Sequence, residues 1–245
     1  MSDKEIAVHA ALVPCSALSD VSFSANAASY RLTLCLANPS ESHVLIRNRL
    51  FTPRMGDVIL SAPYDLQHFI ARGKGFEALL LTFSPSVAEQ MLFHATGRLT
   101  AGKHVFRLSS AAKYLSLSRE GLSSLDAEAL LSLLRETEES GSDAEAYLAE
   151  DPLPLLLQKS LSYLNCHYNE KVSGVFLANR YEVSAKTLDN LFRDYVGLRI
   201  GEIAERLRLL KALELMDCGI ETEAILSTIG LRDANALSAL LKKFQ

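Results

Sequence analysis

Residues 182 to 197, Glu-Val-Ser-Ala-Lys-Thr-Leu-Asp-Asn-Leu-Phe-Arg-Asp-Tyr-Val-Gly, constrain the fold of this 245-residue chain more than any other passage. Ser184 suits a helix N-cap, because its hydroxyl can accept a bond from a backbone N–H that the first turn leaves unpaired. Gly197 stands where a left-handed C-cap would end the helix. At about 100° per residue, Leu188, Leu191, Phe192 and Tyr195 fall on one side, and Lys186, Asn190 and Arg193 gather on the other. Just upstream, Val175-Phe-Leu-Ala-Asn-Arg-Tyr181 reads as a short amphipathic helix joined through Glu182-Val183, which is the spacing of a helix-turn-helix. In that geometry the second helix enters a major groove, where Lys, Arg and Asn reach base edges and phosphates. The same spacing also suits a helical bundle whose polar side is merely solvated.

The rest of the chain divides by periodicity. From Ser29 to about Phe83 the sequence runs in short β-prone stretches: Tyr30–Leu36, His43–Ile46, Asp57–Leu60 and Phe76–Phe83. Breakers at Asn38-Pro39, Met55-Gly56, Ala62-Pro63 and Gly73-Lys-Gly75 separate them, as antiparallel strands with tight turns require, and a small barrel or sandwich is the natural closure. After Ser84-Pro85 the period moves toward 3.6, with helices at roughly 109–122 and 126–138. Their leucines, Leu115, Leu122, Leu130, Leu131, Leu133 and Leu134, serve either packing against the β-rich half or a dimer contact. Ser-Gly-Ser-Asp at 140–143 and Asp151-Pro-Leu-Pro154 are the linker candidates, which places a domain boundary near 151. Everything after it is helical in period.

Four spaced groups in that helical part then act together: Leu177-Ala178; Ser184-x-x-x-Leu188-x-x-x-Phe192-Arg193-x-x-x-Gly197; Arg208-Leu209-x-x-Ala212-x-x-Leu215-Met216; and Ile225-x-x-x-x-Gly230-Leu-x-Asp233. As a set, over about 90 residues, they resemble the DNA-binding domain of AraC/XylS transcription regulators. The resemblance implies two helix-turn-helix units joined by a long helix, here about Gly201 to Asp217, lying in successive major-groove segments. It implies Ser184, Lys186, Thr187, Asn190 and Arg193 as DNA contacts from the first unit, and Arg232, Asn235, Ser238 and Lys242 from the second. Arg208, in the linker helix, reads as a structural ion pair. Asn190 stands where the family usually has Arg, which suits adenine readout. In the second unit the usual aromatic pair is Ala236-Leu237, the usual Arg is Ala239, and the sequence stops at Phe244-Gln245 before the family's Gly-x-x-Pro-x-x-Tyr-Arg passage. The first unit is therefore expected to do most of the specific reading, with the second weaker or turned to another protein.

Phe51 to His68, with Gly56-Asp57, Pro63 and His68, resembles the cupin-like regulatory domains that precede this DNA-binding domain. The overall expectation is an α+β chain of two domains. Residues 1–150 form a cupin-like β-barrel followed by helices, and residues 151–245 form an all-α double helix-turn-helix. His43 and His68 lack the His and Glu cluster of a metal-binding cupin, so no metal site is expected, and His68 reads as a satisfied structural histidine. A small apolar barrel can hold a ligand, and Arg31, Arg47, Arg49 or Arg54 could orient an anionic one, although each alone reads as a solvated surface charge.

Charge narrows the function classes. Of the formal net charge of −4, residues 152–245 carry 12 basic and 11 acidic groups, and the remainder carries 13 and 18. Binding to DNA would then rest on local placement of cations, since affinity follows the phosphates neutralised. Cys15, Cys35, Cys166 and Cys218 show no metal or disulfide spacing and read as reduced, mostly buried thiols. No phosphate-binding glycine loop, nucleophile elbow or His-x-x-x-His pattern is present, so neither catalysis nor a cofactor is expected. The N-terminus lacks a signal-peptide pattern and no apolar run is long enough for a bilayer, which reads as a soluble cytoplasmic protein with no membrane partner. From the family come the remaining expectations: promoter DNA and RNA polymerase as partners, activation as the default, homodimerisation, and a small-molecule or protein effector. The alternative is a regulator acting mainly through protein–protein contact, with a weakened DNA-binding domain.

Overall fold

Alternation along Tyr30–Ala37 (β2) builds the first half of the protein. Successive side chains of a strand point to opposite faces, and here both faces are buried. Leu32, Leu34 and Leu36 enter one apolar cluster, and Cys35 enters another. In the computed structural model, which describes residues 7–9, 27–38, 42–46, 48–70, 76–100, 103–108, 127–139 and 152–244, β2 is the middle of a five-stranded antiparallel sheet. Its neighbours are β7 (Glu77–Phe83) and β5 (Asp57–Ser61), with β1 (Ala7–His9) beyond β7 and β8 (Val105–Arg107) beyond β5. A second antiparallel sheet has the order β4 (Arg49–Phe51), β3 (His43–Ile46), β6 (Gln67–Ile70).

These sheets make layers. One face of the large sheet, through Leu34, Val58, Leu60, Leu81 and Phe83, is covered by helices α1 (Pro85–Met91), α2 (Phe93–Thr100) and α3 (Ala127–Glu139). Its other face meets the small sheet, where Ile59 and Ala78 pack with Val44, Ile46, Phe51 and Phe69. Among the described residues the strands form two stacked sheets and no closed ring, so a sandwich stands where a barrel or a sandwich was expected. Leu133 and Leu134 of α3 are buried in the same cluster as β2, which is the packing reading of that helix. Glu138 of α3 also accepts hydrogen bonds from the backbone of His94 and Ala95 at the start of α2. The helix expected at 109–122 and the linker at 140–143 lie outside the described residues.

Pleating turns the opposite face of the small sheet toward the helical half. Leu45, Leu50 and Ile70 pack with Leu157, Leu161 and Leu164 of α4 (Pro152–His167). Residues 152–154, expected in a linker, are instead the first turn of α4: Pro152 opens the helix, where the missing N–H of proline costs nothing because first-turn N–H groups have no helical partner. The helical half continues with α5 (Gly174–Arg180), α6 (Ala185–Leu191, extended by a π-helical turn Phe192–Val196), α7 (Ile200–Asp217), α8 (Thr222–Ile229) and α9 (Ala234–Lys243).

Two arginine and cysteine expectations change with this packing. Arg31 is 2% exposed, not a surface charge, because it lies on the same face of β2 as Thr33 and Cys35, and that face is buried. It donates to the carbonyl of Asp65, and burial lowers its pKa to about 10 against the pull of that residue's carboxylate. Arg49 and Arg54 are exposed, and Arg47 lies outside the described residues. Cys35 is buried, with its thiol pKa pushed up to about 12 by burial and then by Asp57. Cys166 and Cys218 are exposed instead, the first on α4, where it accepts from Asn48 Nδ2 at 3.7 Å, and the second at the C-cap of α7.

Candidate nucleic-acid interface

The α5–α6 pair is built as the spacing predicts. Ser173 caps α5 by accepting from Phe176 N at 3.1 Å, and Ser184 caps α6 by accepting from Thr187 N at 3.0 Å. Between the helices the chain reverses at Glu182, whose φ of 57° lies in the left-handed region that glycine usually fills. Leu177, Ala178, Leu188 and Phe192 are buried together, with Tyr195 partly buried against them. Lys186, Asn190 and Arg193 are exposed on the other side. Sequence alone read a uniform helix to Tyr195; the last turn is π-wound, so that Gly197, at φ 75°, donates to Phe192 O five residues back.

The second pair repeats the first in register. Asp233 caps α9 through Ala236 N at 2.8 Å, in the role of Ser184. Asn235, Ser238, Ala239 and Lys242 then occupy the exposed stripe that Lys186, Asp189, Asn190 and Arg193 occupy in α6. Leu237 and Leu240 occupy the buried side. Arg232 is exposed in the turn before α9. Lys243 is held by Glu205 of α7 at 2.5 Å. The second stripe thus carries one cation, Lys242, and an alanine at the position of Asn190.

Nine side chains were singled out as DNA contacts, and the structure gathers them into two groups, Ser184, Lys186, Thr187, Asn190 and Arg193 on α6 and Arg232, Asn235, Ser238 and Lys242 on α9. Ser184 and Thr187 are exposed but also bonded to each other, Oγ to Oγ1 at 2.7 Å. Asp189 was missed: its carboxylate pairs with Arg193 at 2.7 Å, and the i, i+4 spacing was the available signal. Arg208 is not placed as an ion pair; its guanidinium donates to the carbonyl of Glu170 at 2.7 Å, fastening α7 to the turn after α4.

The β-rich half packs against this assembly through β6 and the residues that precede it. His68 of β6 is buried and bonds through Nε2 to Asn165 Oδ1 at 3.0 Å, and Asn165 in turn donates to Asn48 Oδ1 at 3.1 Å. Burial pushes the His68 pKa down to about 4, opposed by the Asn165 bond and reinforced by nearby Arg206. Tyr64 donates to the Asp217 carboxylate at the end of α7, and Leu66 packs beside Leu209 and Leu210. His43 bonds Thr52 Oγ1 through Nδ1 at 2.8 Å. Among the described residues no group of three or more His, Cys, Asp or Glu could hold a metal ion, and no helix is long and apolar enough to cross a membrane. A cleft of about 690 Å³ in the β-rich half is lined by Tyr30, Glu89, Phe93, His94, Arg98 and Lys103.

No family model matches the chain. An uncharacterised response regulatory protein of Staphylococcus epidermidis is 28% identical over 118 residues, 46% of this chain and 47% of that protein. A counterpart from another strain is 27% identical over the same length. The chain spans about half the length of these curated relatives. Among solved structures the chain is similar to ToxT from Vibrio cholerae, at 12% identity and a TM-score of 0.36, over 100% of this chain and 92% of that one. It is also similar to ToxT with a bound unsaturated fatty acid (13% identity, TM-score 0.36, 89% and 83% covered) and to the AraC-like transcriptional activator CuxR (17%, 0.31, 76% and 68%). Likenesses this distant do not decide a function, which rests on the residues of this chain.

Proposed function

We propose that this protein is a sequence-specific DNA-binding transcription regulator of the AraC type. The observation that carries the reading is the repeated unit: two capped helices, α6 and α9, each preceded by a short helix and each presenting an exposed polar stripe, joined by one 18-residue helix. At about 1.5 Å per residue α7 spans about 27 Å and separates the two units by a distance on the scale of a DNA helical turn. Lys186, Asn190 and Arg193 would read and anchor from α6; Arg232, Asn235, Ser238 and Lys242 would make fewer and weaker contacts from α9. Ser184 and Thr187, at the N-terminus of α6, would face phosphate.

In this reading residues 151–245 are the DNA-binding domain and residues 1–150 a cupin-like regulatory domain that answers a small ligand or a partner protein. The open cleft beside Tyr30 and α2, with Arg98 and Lys103 at its edge, is where such an effector would sit. Activation through RNA polymerase, homodimerisation and a cytoplasmic location belong to the same proposal. The second reading, a regulator working chiefly through another protein, is favoured by one observation, the thin α9 stripe with Ala239 at its centre.

The test is a mobility shift with a fragment of the DNA upstream of the protein's own coding region. The purified chain shifts it with steep salt dependence, and Arg193→Ala weakens the shift. Asn190→Ala relaxes sequence preference more than it lowers affinity for unrelated DNA. Failure to shift promoter DNA at low salt would count against the proposal, and equal losses on all sequences would remove Asn190 as a base reader.

A further inference from the structure

The exposed stripe of α6 contains an acid among its bases. Asp189 Oδ2 lies 2.7 Å from Arg193 Nη2, with 41% and 55% of the two side chains exposed. Asp194 is exposed next to Arg193. From Ser184 to Gly197 the two cations, Lys186 and Arg193, are therefore matched by two carboxylates, and this helix offers a polyanion no net charge. Non-specific affinity for DNA scales with the phosphates neutralised, so the helix is poor at holding bare backbone.

Resting on the DNA-binding reading above, we propose that Asp189 is a specificity-determining residue that positions Arg193 and penalises contacts to phosphate alone. The donor count explains how. A guanidinium has five N–H donors in a fixed fork. Facing a guanine, Arg193 can give two of them to O6 and N7 and keep another on Asp189, so the pair survives the base contact. Facing a phosphate, Arg193 must share its charge with an oxyanion while Asp189 is held close to the same strand. Like charges so placed repel. The carboxylate thus taxes every sequence and is offset only where a base edge takes the remaining donors.

An i, i+4 pair that served only the helix would behave differently. Its loss would lower stability a little and leave the ratio between cognate and random DNA alone. The test uses the full chain. Wild-type protein enriches duplexes from a random-sequence library, and one enriched duplex and a random duplex of equal length are titrated by anisotropy at several salt concentrations. With Asp189→Asn, affinity for the random duplex rises several-fold, the log–log salt slope steepens by about one, and the enriched duplex gains less, so the ratio falls. Asp189→Glu keeps the charge and stays near wild type. An unchanged ratio, or equal losses on both duplexes with a lower melting midpoint, overturns the proposal while leaving DNA binding intact. If wild-type protein enriches no sequence and binds the random duplex without salt dependence, the DNA reading fails and this inference falls with it.

Discussion

Substituting Gly230 by alanine probes how the second helical pair is anchored. Gly230 ends α8 with φ +70°, and a Cβ built on it would sit 1.9 Å from the carbonyl oxygen of Asn169, 2.8 Å from its carbon and 3.2 Å from its Cα. The left-handed conformation alone costs a non-glycine residue about 1 kcal/mol. The overlap is with backbone, so no rotamer change relieves it. The end of α8 or the turn at Tyr168–Glu170 must move by more than 1 Å to restore ordinary contact, as an order-of-magnitude estimate. That movement disturbs the cluster of Ala212, Ile225, Ile229 and Leu237, against which Tyr168 packs. Overpacking of a well-filled core costs about 1–3 kcal/mol, which brings the total to about 3 kcal/mol. Gly219→Ala supplies the control: its φ is +71°, with nothing within 4 Å of the added Cβ, so only the conformational cost of about 1 kcal/mol remains. Urea unfolding followed by far-ultraviolet circular dichroism gives both values. Equal losses for the two variants, within about 0.5 kcal/mol, would refute the claim that the approach to Asn169 holds α8 in place.

Two further outcomes follow from the same geometry. His68 is held neutral in the folded state with a pKa near 4, below its ordinary 6.5. The unfolded chain therefore binds the extra proton first, and stability is lost as pH falls from about 6.5 toward 4, by up to about 3 kcal/mol. Urea midpoints at pH 7 and pH 5 measure this loss, and His68→Gln flattens it; an unchanged slope in that variant would assign the acid sensitivity elsewhere. Glu182→Gly relieves the left-handed turn between α5 and α6 and raises stability by about 1 kcal/mol, an expectation that a lower unfolding midpoint would contradict.

Much of this molecule is legible in its residues because the signals are local. The cap at Ser184, the period of α6 and the breaker-bounded strands each need only a few neighbours in sequence, and each appears where the sequence places it. Gly56 and Asp57 form the expected turn, with Asp57 accepting from Arg54 N at 2.8 Å. What stayed hidden is set by layers that meet far along the chain. Arg31 is an ordinary surface arginine until both faces of β2 are covered. The His68–Asn165 and Asn48–Asn165 bonds join residues 97 and 117 positions apart, and no period announces them. Pro152 and Pro154 were ambiguous by themselves, since proline opens helices as readily as it marks linkers. The Asp189–Arg193 pair is local, and its i, i+4 spacing makes it legible from sequence.

The central claim is that the exposed stripe of α6 meets DNA, and Lys186 tests it most directly. Lys186 is exposed on α6 and forms no salt bridge with another described residue. Binding to the upstream fragment, measured across a salt series, should show a log–log slope that becomes shallower by about one in Lys186→Ala, with affinity reduced to a similar degree on all sequences. A slope and affinity indistinguishable from wild type would place DNA on another surface and contradict the account.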